Sequence, residues 1–410
     1  MKIVVVGGGA AGMMAAIYAA KNGADVTLVE KNEKLGKKIY ITGKGRCNLT
    51  NNCTVTDFFK NVVSNEKFLF SAINSFSPSE TMSFFEENGL ELMTERGNRV
   101  YPKSEKASDV TRCLEKTLKQ YNVKVLLNSE LQEIMVTDGI VDCVKTSTNK
   151  IPLDRLILAC GGITYKATGS DGKALKLCQK IGHKVIEPTG SLLGIKTESL
   201  EGLAGLSLKN VVLSFIKDGK KLFSEFGEML FTHSGVSGPI VLTLSARINR
   251  IDLTKSKLAI DLKPALTEKV LDLRLLKDFE ICKNKQLKNA LDALLPQSII
   301  PIVIEKSEIF PETQINSITV SQRNKLLSCI KNLELDVIGL EDINGAVITA
   351  GGITVKEVNP STMQSKLYSN LFFAGEMIDV DALTGGFNMQ IAFSTGMLAG
   401  KSAALIGGVK

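Results

Sequence analysis

The chain has 410 residues, 44% of them hydrophobic and 23% charged, a composition that supports two or three globular domains and excludes a disordered or fibrous protein. Lys and Arg number 50 against 43 Asp and Glu, a formal charge of +7. That excess is scattered, with no basic run interleaved with aromatics, so it suits anionic small molecules and argues against a nucleic-acid partner.

Lys2–Val6 is a run of apolar, β-branched residues that predicts a buried strand. Gly7, Gly9 and Gly12 follow in a GxGxxG pattern, then a helix through Asn22 lined with alanines, with Gly23 placed to end it. Asp25–Glu30 is the next strand. In this order the three glycines serve a tight turn, a close approach of pyrophosphate to the backbone, and close packing of helix on strand. The N-terminus of that helix, expected over Met13–Asn22, offers free amides and partial positive charge to phosphates. Glu30, eighteen residues past Gly12, is placed to accept hydrogen bonds from an adenosine ribose.

Residues 34–52 form a Gly/Lys/Asn-rich stretch without clear periodicity, long enough to wrap an extended dinucleotide. Lys37 and Arg46 are candidates to neutralise phosphate, and Asn48 and Asn51 to hydrogen-bond a flavin ring or a substrate. Helical patterns then cover 58–76, 78–88 and 107–120. Three short strands at 124–128, 131–137 and 141–146 read as a small meander. A buried strand at 154–160 stops at Gly161-Gly162. From about 188 to 262 the pattern turns β-rich, with Ser207–Ile216 the clearest strand, and 266–304 and 321–332 are helix-forming. A last strand, Asn370–Ala374, ends at Gly375-Glu376, and a C-terminal helix runs from about Asn388 to Leu405.

In flavoproteins with two dinucleotide-binding domains, a strand like Leu371–Ala374 brings an acid to the ribityl chain of FAD. Glu376 stands in that place here, with Asp379 and Asp381 nearby. Gly385-Gly386-Phe387-Asn388 opens a helix whose N-terminus suits the negative edge of a reduced flavin. Both ends together favour FAD over a nicotinamide nucleotide.

Four runs resemble the BaiN/YhiN-like, aminoacetone-oxidase-like FAD-dependent oxidoreductases. They are Gly43–Asn51, Gly227–Pro239, Thr349–Ile353, and Gly375-Glu376 through Asn388. The resemblance covers nearly the whole chain. It implies an α/β, Rossmann-like two-dinucleotide-binding-domain FAD fold, discontinuous in sequence, with an inserted β-barrel-like domain and a small helical domain. The corresponding divisions are 1–188 with 341–410 for FAD, 189–262 with 333–340 for the β-rich insert, and 263–332 for the helices. It further implies FAD contacts from Gly7, Gly9, Ala10, Ala11, Gly12, Glu30 and Lys31. Lys37, Arg46, Cys47, Asn48, Leu131 and Gly161 join them, as do Gly375, Glu376, Gly386, Asn388 and Met389. The activity implied is hydride transfer through flavin N5 between NAD(P)H or an oxidisable substrate and an acceptor such as a steroid-like enone, with NAD(P)H a transient co-substrate. Small-amine oxidation with O₂ is the alternative, and a flavin protein acting on RNA the reading of another class.

His233, in a glycine-rich turn, and Tyr101 are candidate proton donors beside Asn48. His183, at a helix end, reads as a C-terminal cap. Cys47 and Cys53 raise a dithiol mechanism, but five residues separate them, one more than in disulfide reductases, and an inert Cys47 is the better reading. Eight scattered cysteines, with no CxxC and only two histidines, exclude a disulfide framework and a metal site. No stretch approaches the roughly 20 apolar residues of a membrane span. Met1-Lys2 runs directly into a strand, without a leader pattern, so a cytoplasmic protein free of membrane is expected, its oligomeric state open.

Overall fold

The computed structural model describes residues 1–198 and 200–406. It divides into two compact units, one of Met1–Ser191 with the segment that begins at Ala346, the other of Leu192–Gly345.

The first unit is built on a five-stranded parallel sheet in the order Leu371–Phe373, Arg155–Leu158, β1 (Lys2–Val6), β2 (Asp25–Val29), Lys124–Leu126. The register puts Leu126, Val29, Val6, Leu158 and Phe373 in one row. All five strands therefore end level, and Glu30, Gly7, Ala159 and Ala374 line a common carboxyl edge. Chain order reverses on either side of β1, and in open α/β sheets that switch point is where ligands bind.

Helix α1 (Ala10–Lys21) is apolar on every side, and Met13, Met14, Ala15, Ala16, Ile17 and Ala19 are almost wholly buried. A helix of this kind needs cover on both faces. The sheet gives one cover and the C-terminal helix, Phe387–Leu405, gives the other. Alanines and glycines bring these backbones together: a Cβ on Gly396 would lie 2.3 Å from the Ala11 carbonyl oxygen, and one on Gly400 2.1 Å from that of Ala15. The C-terminal segment thus completes the N-terminal βαβ. Gly23 ends α1 at φ +87°, as its sequence position predicts.

Several elements depart from the sequence reading. Lys124–Leu126 joins the parallel sheet beside β2, and the meander consists of Leu131–Thr137, Ile140–Thr146 and Lys150–Pro152. A three-residue strand with two exposed positions has too little burial pattern to reveal its partner. The 58–76 pattern is not one helix: Val55–Phe59 is followed by strand Val62–Ser64 and then Phe70–Ser75, with Asn65 left-handed at φ 55° where continuity fails. Leu92–Glu95 and Arg99–Pro102 add an antiparallel hairpin to the elements that the sequence predicts.

The chain leaves the first unit along strand Val185–Ser191 and re-enters along Ile348–Ile353, and these two pair antiparallel, Ser191 opposite Ile348. The second unit is a closed six-stranded antiparallel barrel of Ile195–Thr197, Gly235–Ser237, Lys220–Phe231, Ser207–Lys217, Ser256–Asp261 and Leu333–Leu340. Its inward residues, Leu213, Phe215, Leu258 and Leu335, share one core with helices Pro239–Ile248, Glu268–Ile281, Ile300–Lys306 and Val320–Lys331. The 266–304 pattern is thus two helices, the second opened by Pro301 in its first turn. Among the described residues no helix is long and apolar enough to cross a membrane.

Gly400→Val is expected to lower stability by about 2 kcal/mol, because the new side chain must force two helix backbones apart. Urea unfolding, followed by far-UV circular dichroism, reads this as a lower midpoint at unchanged slope.

Candidate cofactor site

The glycine turn after β1 has no room for side chains where the sheet and helix meet it. Gly7 is left-handed at φ +107°, its added Cβ would sit 2.4 Å from the Ala159 carbonyl oxygen, and one on Gly12 would sit 1.8 Å from that of Gly7. Gly9 differs: nothing lies within 4 Å of a Cβ built there. It is the N-cap of α1 and supplies no side-chain hydrogen bond, and no acid occupies the first turn. The amides of Ala10, Ala11 and Gly12 precede the first intrahelical bond, from the Met13 amide to the Gly9 carbonyl, and a helix start with free amides is the arrangement that binds an anion.

Glu30 is buried at the end of β2, where its carboxylate accepts from the Gly8 amide at 2.7 Å and from the Asn32 amide and Nδ2 at 2.8 and 2.6 Å. Three bonds leave about one acceptor position for a hydroxyl. Lys31 pairs with Asp171 at 2.8 Å. Gly161, at φ +76°, faces Ser170, whose buried hydroxyl has no protein partner.

The loop after β2 is tied to the glycine turn through the Gly36 amide, which donates to the Gly8 carbonyl at 2.8 Å. A short helix, Lys37–Ile41, follows. Of the two residues assigned to phosphate, Lys37 reaches Glu33 at 3.1 Å and Asn32 at 3.4 Å. Arg46 donates to Glu95 and Glu105 at 2.7 and 2.6 Å, and its guanidinium lies 4.2 Å from the Tyr101 ring centre. Its hydrogen bond holds the Glu95 carboxyl below the usual range.

On either side of Arg46, Gly43, Lys44, Gly45 and Cys47 all take positive φ. For Lys44 and Cys47 that conformation costs about 1–2 kcal/mol each. The strained run delivers Asn48, whose Oδ1 is buried with no partner in the protein. Asn51, by contrast, spends its amide on the Gly97 and Gly385 carbonyls. Cys47 is wholly buried, and burial pushes its thiol up to about 12, so the nucleophilic thiolate of a dithiol mechanism has no support there.

On the far side, Gly375 is left-handed at φ +68° and packs on the first turn of α1. Glu376 is held on three sides: Oε2 by Lys38 at 2.7 Å, Oε1 by the Thr349 amide at 2.6 Å and the Thr164 hydroxyl at 3.2 Å. Asp379 accepts from Asn65 and Asp381 from Ser191. Gly386 lies against the Thr50 carbonyl, Asn388 closes the preceding loop onto Ala382 and Leu383, and Met389 is half-buried. Leu131 is buried at the start of the meander.

Every residue expected to contact the cofactor belongs to the first unit, as does Tyr101, which is 4% exposed. His233 belongs to the second unit, exposed between strands Lys220–Phe231 and Gly235–Ser237. His183 is a core residue: Nδ1 meets Glu357 at 2.9 Å, Nε2 meets Ser365 at 3.1 Å, and it is the backbone amide that caps the helix, on Cys178. Lys38, Thr164 and Thr349 carry no role in the sequence reading, although Thr349 opens the Thr349–Ile353 run. They are 126 and more residues from their partners, apart from Thr349 and Glu376, so local pattern does not show what they meet.

This donor set fits FAD. The open α1 amides suit its pyrophosphate, and the unpartnered Asn48 Oδ1 and Ser170 hydroxyl suit its N–H and hydroxyl groups.

The family model described as HI0933-like protein Rossmann domain matches residues 1–402. A 3-dehydro-bile acid delta(4,6)-reductase of Clostridium scindens is 31% identical over 98% of this chain and 99% of its own. A ribosomal RNA dihydrouridine synthase of Haemophilus influenzae is 29% identical over 96% of each. The solved 3-ketosteroid delta1-dehydrogenase of Sterolibacterium denitrificans shares the fold, with a TM-score of 0.53 over 98% of this chain and 99% of that one at 12% identity. The chain belongs to the HI0933-like family and is an FAD-dependent oxidoreductase.

Cys47→Ala should retain bound flavin and its reduction by donor, and iodoacetamide at pH 8 should leave native Cys47 unmodified; alkylation of that thiol would contradict its burial. Burial holds the His183 pKa below 6.5, against the opposing pull of Glu357. Below pH 6.5 the unfolded chain then takes up a proton that the folded chain refuses, so stability falls as pH drops. His183→Gln should flatten the difference between unfolding midpoints at pH 8 and pH 5.

Proposed function

We propose that the chain reduces a carbon–carbon double bond conjugated to a carbonyl in a small, steroid-like molecule, with NAD(P)H as electron donor. The observation that carries this is the delta(4,6)-reductase relative, which aligns with almost the entire chain. Bound FAD supplies hydride chemistry; the chain must hold the ring, exclude water and place a proton on the carbon next to the carbonyl. No second GxGxxG is present for a nicotinamide nucleotide, so the donor and the acceptor use the cofactor in turn. Asn48 is assigned to orienting the flavin or substrate through its unpartnered oxygen. Tyr101 and His233 are the two proton-donor candidates. The reading takes the protein to be cytoplasmic, in keeping with eight free cysteines.

A second reading has its own support, since two relatives are named ribosomal RNA dihydrouridine synthases. Uracil carries the same bond type: its C5=C6 is conjugated to the C4 carbonyl. The two readings share the reaction and differ in what presents the double bond.

NADH or NADPH should bleach the flavin anaerobically, and a conjugated steroid dienone should restore the oxidised spectrum, whereas a ribosomal RNA fragment should not. Restoration by RNA alone would select the second reading. Bleaching by small amines with no response to any enone would overturn both. Tyr101→Phe should slow reoxidation about 100-fold if its phenol delivers the proton, with His233→Gln near the parent rate; the opposite pattern assigns the proton to His233.

A further inference from the structure

We propose that Lys38 is a positioning residue for FAD, acting through Glu376 to hold the cofactor edge in one piece. The proposal rests on FAD as cofactor and not on which double bond is reduced.

The carboxyl edge of β1 is bounded by a closed circuit of contacts. Gly36 is bonded to Gly8 of the glycine turn, which registers the helix Lys37–Ile41 against that turn. From the second position of this helix, Lys38 extends to Glu376 at 2.7 Å and to the buried Thr164 hydroxyl at 2.9 Å. Gly375, next to Glu376, packs on Ala11, where an added Cβ would come within 2.7 Å of the alanine methyl, and its amide donates to Thr395 at 2.9 Å. Ala11 lies in the first turn of α1 and leads back through Gly9 to Gly8.

The Lys38–Glu376 pair is the one ionic link in this circuit, and both side chains are about three-quarters buried, at 24% and 21% exposure. Two partly desolvated charges fix each other's position more firmly than a surface pair does. With Lys38 removed, Glu376 keeps the Thr349 and Thr164 donors but loses its counter-charge, and its strand exit loses its tie to the glycine turn. An uncompensated carboxylate next to a pyrophosphate-binding helix start also repels the ligand.

The test is the rate at which full-length holoprotein releases FAD on dilution, read as recovery of flavin fluorescence. Lys38→Met should release FAD about tenfold faster or more, and Lys38→Arg, which keeps the charge, should stay within about threefold of the parent. Glu376→Gln preserves shape and should also accelerate release. In the double variant the two effects should not multiply, because the pair acts as a unit. Parental release from Lys38→Met or from Glu376→Gln overturns the proposal. So does a Lys38→Arg protein as leaky as Lys38→Met, or a multiplicative double variant. None of these readings depends on turnover, so a failed substrate panel leaves the test intact.

Discussion

The first turn of α1 is clamped between backbones, with peptide groups where side chains would ordinarily stand. Gly12 rests on the Gly7 carbonyl, Gly7 on the Ala159 carbonyl, and Gly396 on the Ala11 carbonyl. Each contact sits inside the reach of a methyl group. Strand, turn and two helices therefore hold a fixed distance from one another. That distance places the free amides of Ala10, Ala11 and Gly12 at the sheet edge, and Gly9 alone of the three motif glycines faces open space. The cofactor site is a consequence of close packing before it is a matter of charge.

Its electrostatics follow the same logic. Four cations of this edge are already engaged: Lys31 with Asp171, Lys37 with Glu33, Lys38 with Glu376, Arg46 with Glu95 and Glu105. Peptide dipoles at a helix start suit phosphates, and they cost no side-chain entropy to orient. The paired lysines and Arg46 brace the loop, whose strained run from Gly43 to Cys47 needs support from outside itself.

How much of this the sequence discloses depends on how local each requirement is. The unit β1–α1–β2 is legible because each glycine answers a need created by residues a few positions away. Ser207–Lys217 is legible to one residue because a run rich in apolar and β-branched residues stops at the left-handed Asp218-Gly219 turn. The sheet that Lys124–Leu126 joins is not legible, since three residues at a sheet edge carry no period that would show a partner. The composition of the charged loop shows that cations are present and not which acids they meet. Lys37 and Lys38 are neighbours, yet one points to Glu33 and the other to a residue 338 positions on. A five-residue helix is too short for its phase to be read, so that division of labour appears only in the fold.

The pairing of Val185–Ser191 with Ile348–Ile353 has a consequence for how the protein is made. Strand and roof of the first unit come from opposite ends of the chain: α1 is covered by a helix that starts at Phe387, after the whole barrel has been synthesised. At roughly 5–20 residues per second, α1 waits on the order of half a minute for its second face. Over that interval an apolar helix and a nearly complete parallel sheet stand half covered, as high contact order implies. The barrel unit, contiguous from Leu192 to Gly345, has all its partners at hand and can close first. Folding order then runs against chain order, with the insert finished before the domain that hosts it.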